Sequence, residues 1–221
     1  MAAASPVIPS AADPAGLLRR APSQRRSRER VERILAVATE LIAAQGSDAL
    51  RMAEVAAKAE ISIGSLYQYF PDKAAIIRSL AERYNAEGRA CIEEGLRDVR
   101  DAAGLRHAFG QLIDIYYGLF LAEPVMRDIW SGLQADKALR EIDLEDSRIN
   151  GRVLAAALAR IDPAADPAAL LTRALLVMQL GEATMRLAIS VGRAEGDALV
   201  EAYKRMALRE LAPEGSGTVG P

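Results

Sequence analysis

Between Met52 and Lys73 the chain reads MAEVAAKAEISIGSLYQYFPDK, and hydrogen-bonding side chains gather there around one short stretch. Wound as a helix, residues 63–70 place Ile63, Leu66, Tyr67 and Phe70 on one arc, suited to packing. Gly64, Ser65 and Gln68 fall on the opposite arc. Small or hydrogen-bonding side chains on a free helix face suit base reading in a DNA major groove. A glutamine amide pairs with a base edge, usually adenine, serine serves phosphate or base, and glycine lets the backbone come close. Tyr67 and Tyr69 each offer a hydroxyl to phosphate, and Lys73 adds a cation at the start of the next helix. Upstream, seven arginines (19, 20, 25, 26, 28, 30 and 33) meet only Glu29 and Glu32. That is the footprint of a polyanion partner. A solvated tail and helix face is the plainer account of the same charge.

The elements that must hold these residues are legible from periodicity and punctuation. A helical pattern starts at Ser27, with Val31, Ile34, Leu35, Ala38, Leu41 and Ile42 on one face and Gly46 as its stop. A short helix from Met52 to Lys58 follows, then a turn at Ala59-Glu60-Ile61. Ser62 is the N-cap of a second short helix ending at Phe70-Pro71, and Asp72 caps a long helix from Lys73 towards Arg97. Further helices are predicted over 105–121, 124–134, 137–160, 167–190 and 195–211, with Asp166-Pro167 as an N-cap and first-turn proline. Residues 1–24, with four prolines, read as a flexible arm, and 213–221 as a disordered tail. No segment reads as a strand. The fold class is all-α, with a three-helix helix-turn-helix domain at 25–72 and a helical domain at 73–212.

Composition excludes several classes. The 221 residues are 51% hydrophobic and 26% charged, with only 5% aromatic and a net charge of −2. Residues 1–80 carry an excess of three positive charges and the remainder an excess of five negative ones. A single cysteine, Cys91, rules out an internal disulfide and a four-cysteine zinc site. A single histidine, His107, rules out paired-histidine metal motifs and the repeated Glu-x-x-His sets of helical-bundle metalloenzymes. No enzyme activity, metal or cofactor is therefore expected. No apolar run approaches the roughly 20 residues of a membrane span, and the N-terminus lacks the order of a signal peptide. A cytoplasmic protein with no membrane partner is expected.

The segment 27–80 resembles the TetR-type (tetracycline-repressor-like) family of transcriptional regulators. The family pattern is met by Val55-Ala56, then Ala59-Glu60-Ile61-Ser62, then Gly64-Ser65-Leu66-Tyr67-Gln68-Tyr69-Phe70, and Lys73. Three positions depart from it. Glu60 stands where the family prefers glycine, Arg51 stands where threonine usually caps the second helix, and Ile63 replaces a commonly polar residue. Arg51 exchanges a cap for a phosphate contact, while Ile63 either touches a thymine methyl or packs.

The resemblance implies a homodimeric repressor. Each helix-turn-helix takes half of a palindromic double-stranded DNA operator, read by Ser62, Ile63, Gly64, Ser65, Tyr67, Gln68 and Tyr69, with Arg25, Arg26, Arg28, Arg51 and Lys73 on phosphates or the minor groove. The domain at 73–212 becomes a ligand-binding and dimerisation domain, its last two long helices forming a four-helix bundle with the partner. A small-molecule effector then changes the spacing of the heads. The long helix after Lys73 is the only element that starts in the head and ends in the ligand domain. The rival function is a helical interaction protein whose helix-turn-helix no longer reads DNA.

The aromatic group Phe109, Tyr116, Tyr117, Phe120 and Trp130, with Met126 and Met178, is either core or cavity lining. Glu182 falls inside an apolar arc with Leu171, Leu175, Met178 and Met185. A carboxylate there must find a partner, protonate or face a cavity. An ion pair with an arginine across the dimer interface and an anchor for a ligand both fit. Leu170, Leu171, Ala174, Met178, Leu199, Ala202, Tyr203 and Met206 are the apolar positions expected to support dimerisation. His107 reads as solvated and Cys91 as a packing residue.

Overall fold

Side-chain caps set four of the helix starts in the computed structural model, which describes residues 15–132 and 137–212, with side chains over 25–130 and 137–212. The described residues form α1 (Ala15–Gln45), α2 (Met52–Lys58), α3 (Ile63–Tyr69), α4 (Lys73–Leu96), α5 (Ala102–Ala122), α6 (Pro124–Gly132), α7 (Lys137–Ile161), α8 (Pro167–Ser190) and α9 (Arg193–Leu211), and no strand occurs among them. Asp72 accepts from Ala75 N at 2.7 Å, Asp101 from Gly104 N at 2.7 Å, and Asp166 from both Ala168 N and Ala169 N at 3.2 Å. Each such cap is worth about 1 kcal/mol. Asp101 explains why α5 starts three residues before the predicted 105.

The N-terminal expectation needs correction. α1 begins at Ala15 rather than Ser27, so ten residues assigned to the arm at 1–24 continue the helix. Ala, Leu and Arg in this stretch favour helix, but Gly16 and Pro22 do not, and propensity alone does not explain the extension. The rest of the arm and the tail at 213–221 lie outside the described residues.

α1 buries Ile34, Leu35, Ala38, Leu41 and Ile42, the face expected from periodicity, and Val31 is half-buried at its edge. Against them pack Val55 and Ala56 of α2, Leu66 of α3, Phe70, and Ile76 and Leu80 of α4. Each fully buried leucine or isoleucine contributes roughly 1.5–3 kcal/mol of transfer free energy. This small core holds the reading head together.

In the C-terminal domain α7, α8 and α9 pack in succession, α4 lies on α7, and α5 lies against α4, α8 and α9. Gly196 permits the tight return from α8 into α9. A Cβ there would sit 2.5 Å from Ala188 O and 3.0 Å from the Tyr117 hydroxyl. α6 packs between α1 and the C-terminal helices, touching α4, α5 and α8. The outer face of α8 carries an exposed row at Leu176, Leu180 and Leu187, with Met206 exposed on α9. Leu170, Ala174 and Tyr203 are instead buried within the subunit, because α8 and α9 pack on each other as well as outward.

Candidate nucleic-acid interface and internal cavity

α2 and α3 meet through a tight turn with a definite hydrogen-bond pattern. Ile61 N donates to Ala56 O at 3.0 Å, and Glu60 N to Ala57 O at 3.2 Å. This is the Schellman closure of a helix C-terminus, in which the residue after the cap takes a left-handed conformation. Glu60 does so, at φ 55°. A residue with a Cβ costs about 1–2 kcal/mol there relative to glycine. The fold keeps the turn despite the glutamate.

α3 is anchored by two residues, not four. Leu66 and Phe70 are buried, whereas Ile63 is 44% and Tyr67 51% exposed. A seven-residue helix makes only two turns, and the i, i+4 pair Leu66 and Phe70 already fills its seam with the head core. The outward face therefore presents Ile63, Gly64, Tyr67 and Gln68, with Ser65 half-buried at its margin. Ile63 is therefore packed only in part. Nothing lies within 4 Å of a Cβ built on Gly64, so the approach to the backbone is clear. Ser62 Oγ is engaged as the cap, accepting from Ser65 N at 3.1 Å.

Around this face the cations are arranged unequally. Arg25, Arg26, Arg28 and Arg51 are exposed, and Arg25 pairs with Glu29 at 2.8 Å. Arg51 takes the N-cap position of α2 in extended conformation, with no capping bond from its side chain. Lys73 Nζ donates to Asp48 O at 2.9 Å, which tethers the α1–α2 loop to the start of α4. Tyr69 turns towards α1. Its hydrogen bond with Ser27, and to a lesser degree Arg30, holds its phenol below the usual pKa. Tyr69 thus joins α3 to the basic segment of α1.

A cavity of about 80 Å³ lies in the C-terminal domain, bounded by α4, α5, α6, α7, α8 and α9. Of the predicted ligand residues, Phe109, Tyr116, Met126, Met178 and Glu182 border it. Tyr117, Phe120 and Trp130 do not. Tyr117 faces α9, where its hydroxyl donates to Asp197 Oδ1 at 3.0 Å. Phe120 and Trp130 form the layer behind the wall, with edge-to-face contacts Tyr116–Phe120 at 5.0 Å, Phe120–Trp130 at 6.1 Å and Tyr84–Trp130 at 6.1 Å. Tyr84, Asn85, Cys91 and Ile92 of α4 complete one side, and Ile115 and Leu119, both substantially exposed, stand where the cavity meets the surface.

A polar cluster closes the inner end, and sequence reasoning missed most of it. Asp143, Asp146, Ser147 and Asn150 of α7 are all buried. Arg89 Nη2 donates to Asp146 Oδ1 at 2.6 Å, and Asn150 Nδ2 to Asp146 Oδ2 at 2.8 Å. Gln179 Nε2 donates to Ser147 Oγ at 2.6 Å. Glu182 Oε1 accepts from the Tyr116 hydroxyl at 2.8 Å. Arg186 Nη1 lies 3.6 Å from Asp143 Oδ2 and 3.9 Å from Glu182 Oε2, the second beyond hydrogen-bond reach. Burial, reinforced by Asp143, pushes the Glu182 carboxyl up to about 8, against the opposing pull of Tyr116 and Arg186. Burial likewise raises Asp143 and Asp146 above the usual carboxylate range. The arginine that Glu182 meets is in its own helix, one turn on. Spacing i, i+4 brings the two together without a partner subunit.

The four α7 residues had a visible signature. They recur at i, i+3, i+4 and i+7, and the same face continues as Leu154, Ala157 and Leu158, all buried. No group of histidine, cysteine and acidic residues among those described is arranged to hold a metal ion. No helix among the described residues is long and apolar enough to cross a membrane.

Comparison with known proteins agrees with this anatomy. Residues 34–80 match the bacterial regulatory proteins of the tetR family, and residues 103–214 match the tetracyclin repressor-like C-terminal domain. No curated protein matches the chain with significance. Among solved structures, a TetR-family transcriptional regulator from Mesorhizobium loti is similar at 18% identity, covering 83% of this chain and 96% of that one, with a TM-score of 0.62. FadR from Bacillus subtilis, solved with stearoyl-CoA, shares 20% identity over 85% of this chain and 98% of its own, at TM-score 0.58. RolR, solved with resorcinol, shares 19% over 90% of this chain and 100% of its own, at TM-score 0.60. At these identities the likeness speaks to the fold. The head and the C-terminal helices are both matched in sequence, the latter over half the chain, so the protein belongs to the TetR (tetracycline-repressor-like) family and is a DNA-binding transcriptional regulator rather than an enzyme.

Proposed function

We propose that the protein is a ligand-released repressor: a homodimer whose two heads hold a palindromic operator until a small molecule enters the cavity of each subunit. One observation carries this reading. α4 starts at Lys73 inside the head, and its Tyr84, Asn85, Cys91 and Ile92 form a wall of the cavity. An occupant that displaces this wall must also displace the head. Release follows only if the ligand favours one arrangement over the other.

A second copy is the natural cover for the α8 row of Leu176, Leu180 and Leu187 beside Met206, since exposed apolar rows of this kind mark association surfaces. The scale of the cavity favours a compact effector, closer to the resorcinol of RolR than to the stearoyl-CoA of FadR. Pockets that take drug-sized ligands measure roughly 300–1,000 Å³. The flexible Met126 and Met178 on its walls give room for modest expansion.

The test is binding to DNA from the chain's own upstream region, followed by fluorescence anisotropy at several salt concentrations. A reader shows a steep salt dependence and a preference for one palindrome over scrambled sequence. Weak binding without sequence preference would favour the interaction protein, the reading that the exposed acid Glu60 beside the reading helix supports.

A further inference from the structure

Two arginines and three carboxylates share the inner end of the cavity: Arg89 and Arg186 against Asp143, Asp146 and Glu182. With all five ionised, the cluster holds one negative charge that no guanidinium matches. Buried charge without a partner is costly, so the cluster must take up either a proton or another cation. Both charged residues that border the cavity, Asp146 and Glu182, are acids, and neither arginine reaches its wall. The surplus charge therefore faces the cavity.

Two buried acceptors there have no donor. Glu182 Oε2 lacks a hydrogen bond, and so does Asn150 Oδ1. The orientation of Asn150 is fixed by chemistry. Its neighbour Asp146 can only accept when ionised, so the amide nitrogen must face Asp146 and the oxygen is left over. Arg186 Nη1 also lacks an acceptor, at 3.9 Å from Glu182 Oε2, too far to satisfy the carboxylate. From this we infer that the effector is a small organic monocation, an ammonium whose N–H groups meet Glu182 and Asn150 while its apolar body lies against Phe109, Met126 and Met178.

The inference rests on the cavity being the effector site and adds the chemical class of its ligand. Without ligand, Glu182 holds a proton, in keeping with its elevated pKa of about 8. A bound ammonium takes the place of that proton, and the proton leaves to solvent, so charge balances in both states. The groups that bear on Glu182 are Tyr116 from α5, Asp143 and Asp146 from α7, Arg186 from its own helix and Tyr203 from α9. Among them, Arg186 is the one cation, and Asp143 also draws on it.

Matched probes of one shape test the charge: benzylamine, benzyl alcohol and benzoate, titrated into the full-length protein by calorimetry at pH 7.5. Benzylamine is expected to bind at least about tenfold more tightly than either analogue, and Glu182→Gln to reduce that margin to about twofold or less. Equal binding of the alcohol, tighter binding of benzoate, or no binding of benzylamine overturns the cation assignment. Met178→Trp, whose indole fills the cavity, separates the two readings. If the alcohol or benzoate binds and Met178→Trp abolishes it, the cavity remains the effector site and only the cation assignment falls. If Met178→Trp, shown by its melting curve to be folded, blocks none of the probes that bind, the cavity reading falls as well.

Discussion

Ser47 N donates to Asp128 Oδ2 at 2.9 Å, joining the loop that follows α1 to the middle of α6. The chain reaches this point because Gly46, at φ 83°, ends α1 in a left-handed turn, and a Cβ there would lie 3.4 Å from the other Asp128 oxygen. Two residues before Asp128, Met126 borders the cavity, and two residues after it Trp130 packs behind the wall. The sequence suggested α4 as the sole link between cavity and head. The fold adds this second one, made by a hydrogen bond instead of the backbone.

Asp128→Ala should weaken effector response more than effector binding. It leaves a partly buried N–H without its acceptor, at a stability cost of about 1–3 kcal/mol. Measuring effector affinity and operator release on the same variant decides the matter, because parallel changes in both would reduce Asp128 to a purely structural role.

Gln68 and Lys73 should divide recognition from attraction. Gln68→Ala is expected to cost about 1–3 kcal/mol on the preferred operator and little on scrambled DNA. Lys73→Ala should weaken all sequences alike and lower the salt slope by about one. It should also loosen the α1–α2 loop, since its ammonium holds Asp48 O. Hydrogen exchange at residues 46–50 would show that second effect, and identical sequence profiles for the two variants would refute the division.

Glu60→Gly should stabilise the head by about 1 kcal/mol, by relieving the left-handed glutamate. Removing an exposed acid next to the reading helix should also raise affinity for DNA of any sequence. Denaturant titration gives the first quantity and anisotropy on scrambled DNA the second.

Stability should fall as pH rises from about 5 to 8. Glu182 has an ordinary carboxyl value of 4.5 and stands at about 8 in the fold. Within that window the folded chain keeps a proton that the unfolded chain has already released, so each unit of pH favours unfolding by up to about 1.4 kcal/mol. The melting temperature should drop by roughly 4 °C between pH 6.5 and 8. Glu182→Gln, which carries no titrating group there, should flatten the decline, and a wild-type curve level across that range would contradict the buried acid.

Much of the head could be read in advance because its signals are local. The Ser62 and Asp72 caps, the stop at Gly46 and the bounds of α2 depend on neighbours a few residues away. The glycine that the family prefers at position 60 coincides with the positive φ found there. The cavity was harder, because its walls come from six helices and depend on how those helices lie together. Wheel arithmetic placed Glu182 correctly inside, but could not show that Phe120 and Trp130 stand one layer behind Tyr116 and Tyr84. The packing arc drawn for α3 reached too far, to Ile63 and Tyr67, for a related reason. A wheel shows which residues share an arc, and only packing decides how much of the arc is covered.

Trp130 is the only tryptophan in the chain, and its indole meets the ring of Tyr84 edge-on while Tyr84 itself borders the cavity. Emission excited at the red edge of indole absorption, where the six tyrosines scarcely absorb, therefore arises from one place, a single aromatic ring away from the cavity. Any occupant that shifts Tyr84 alters the polarity and quenching around that indole, so the molecule carries its own optical sensor and can be titrated without a label.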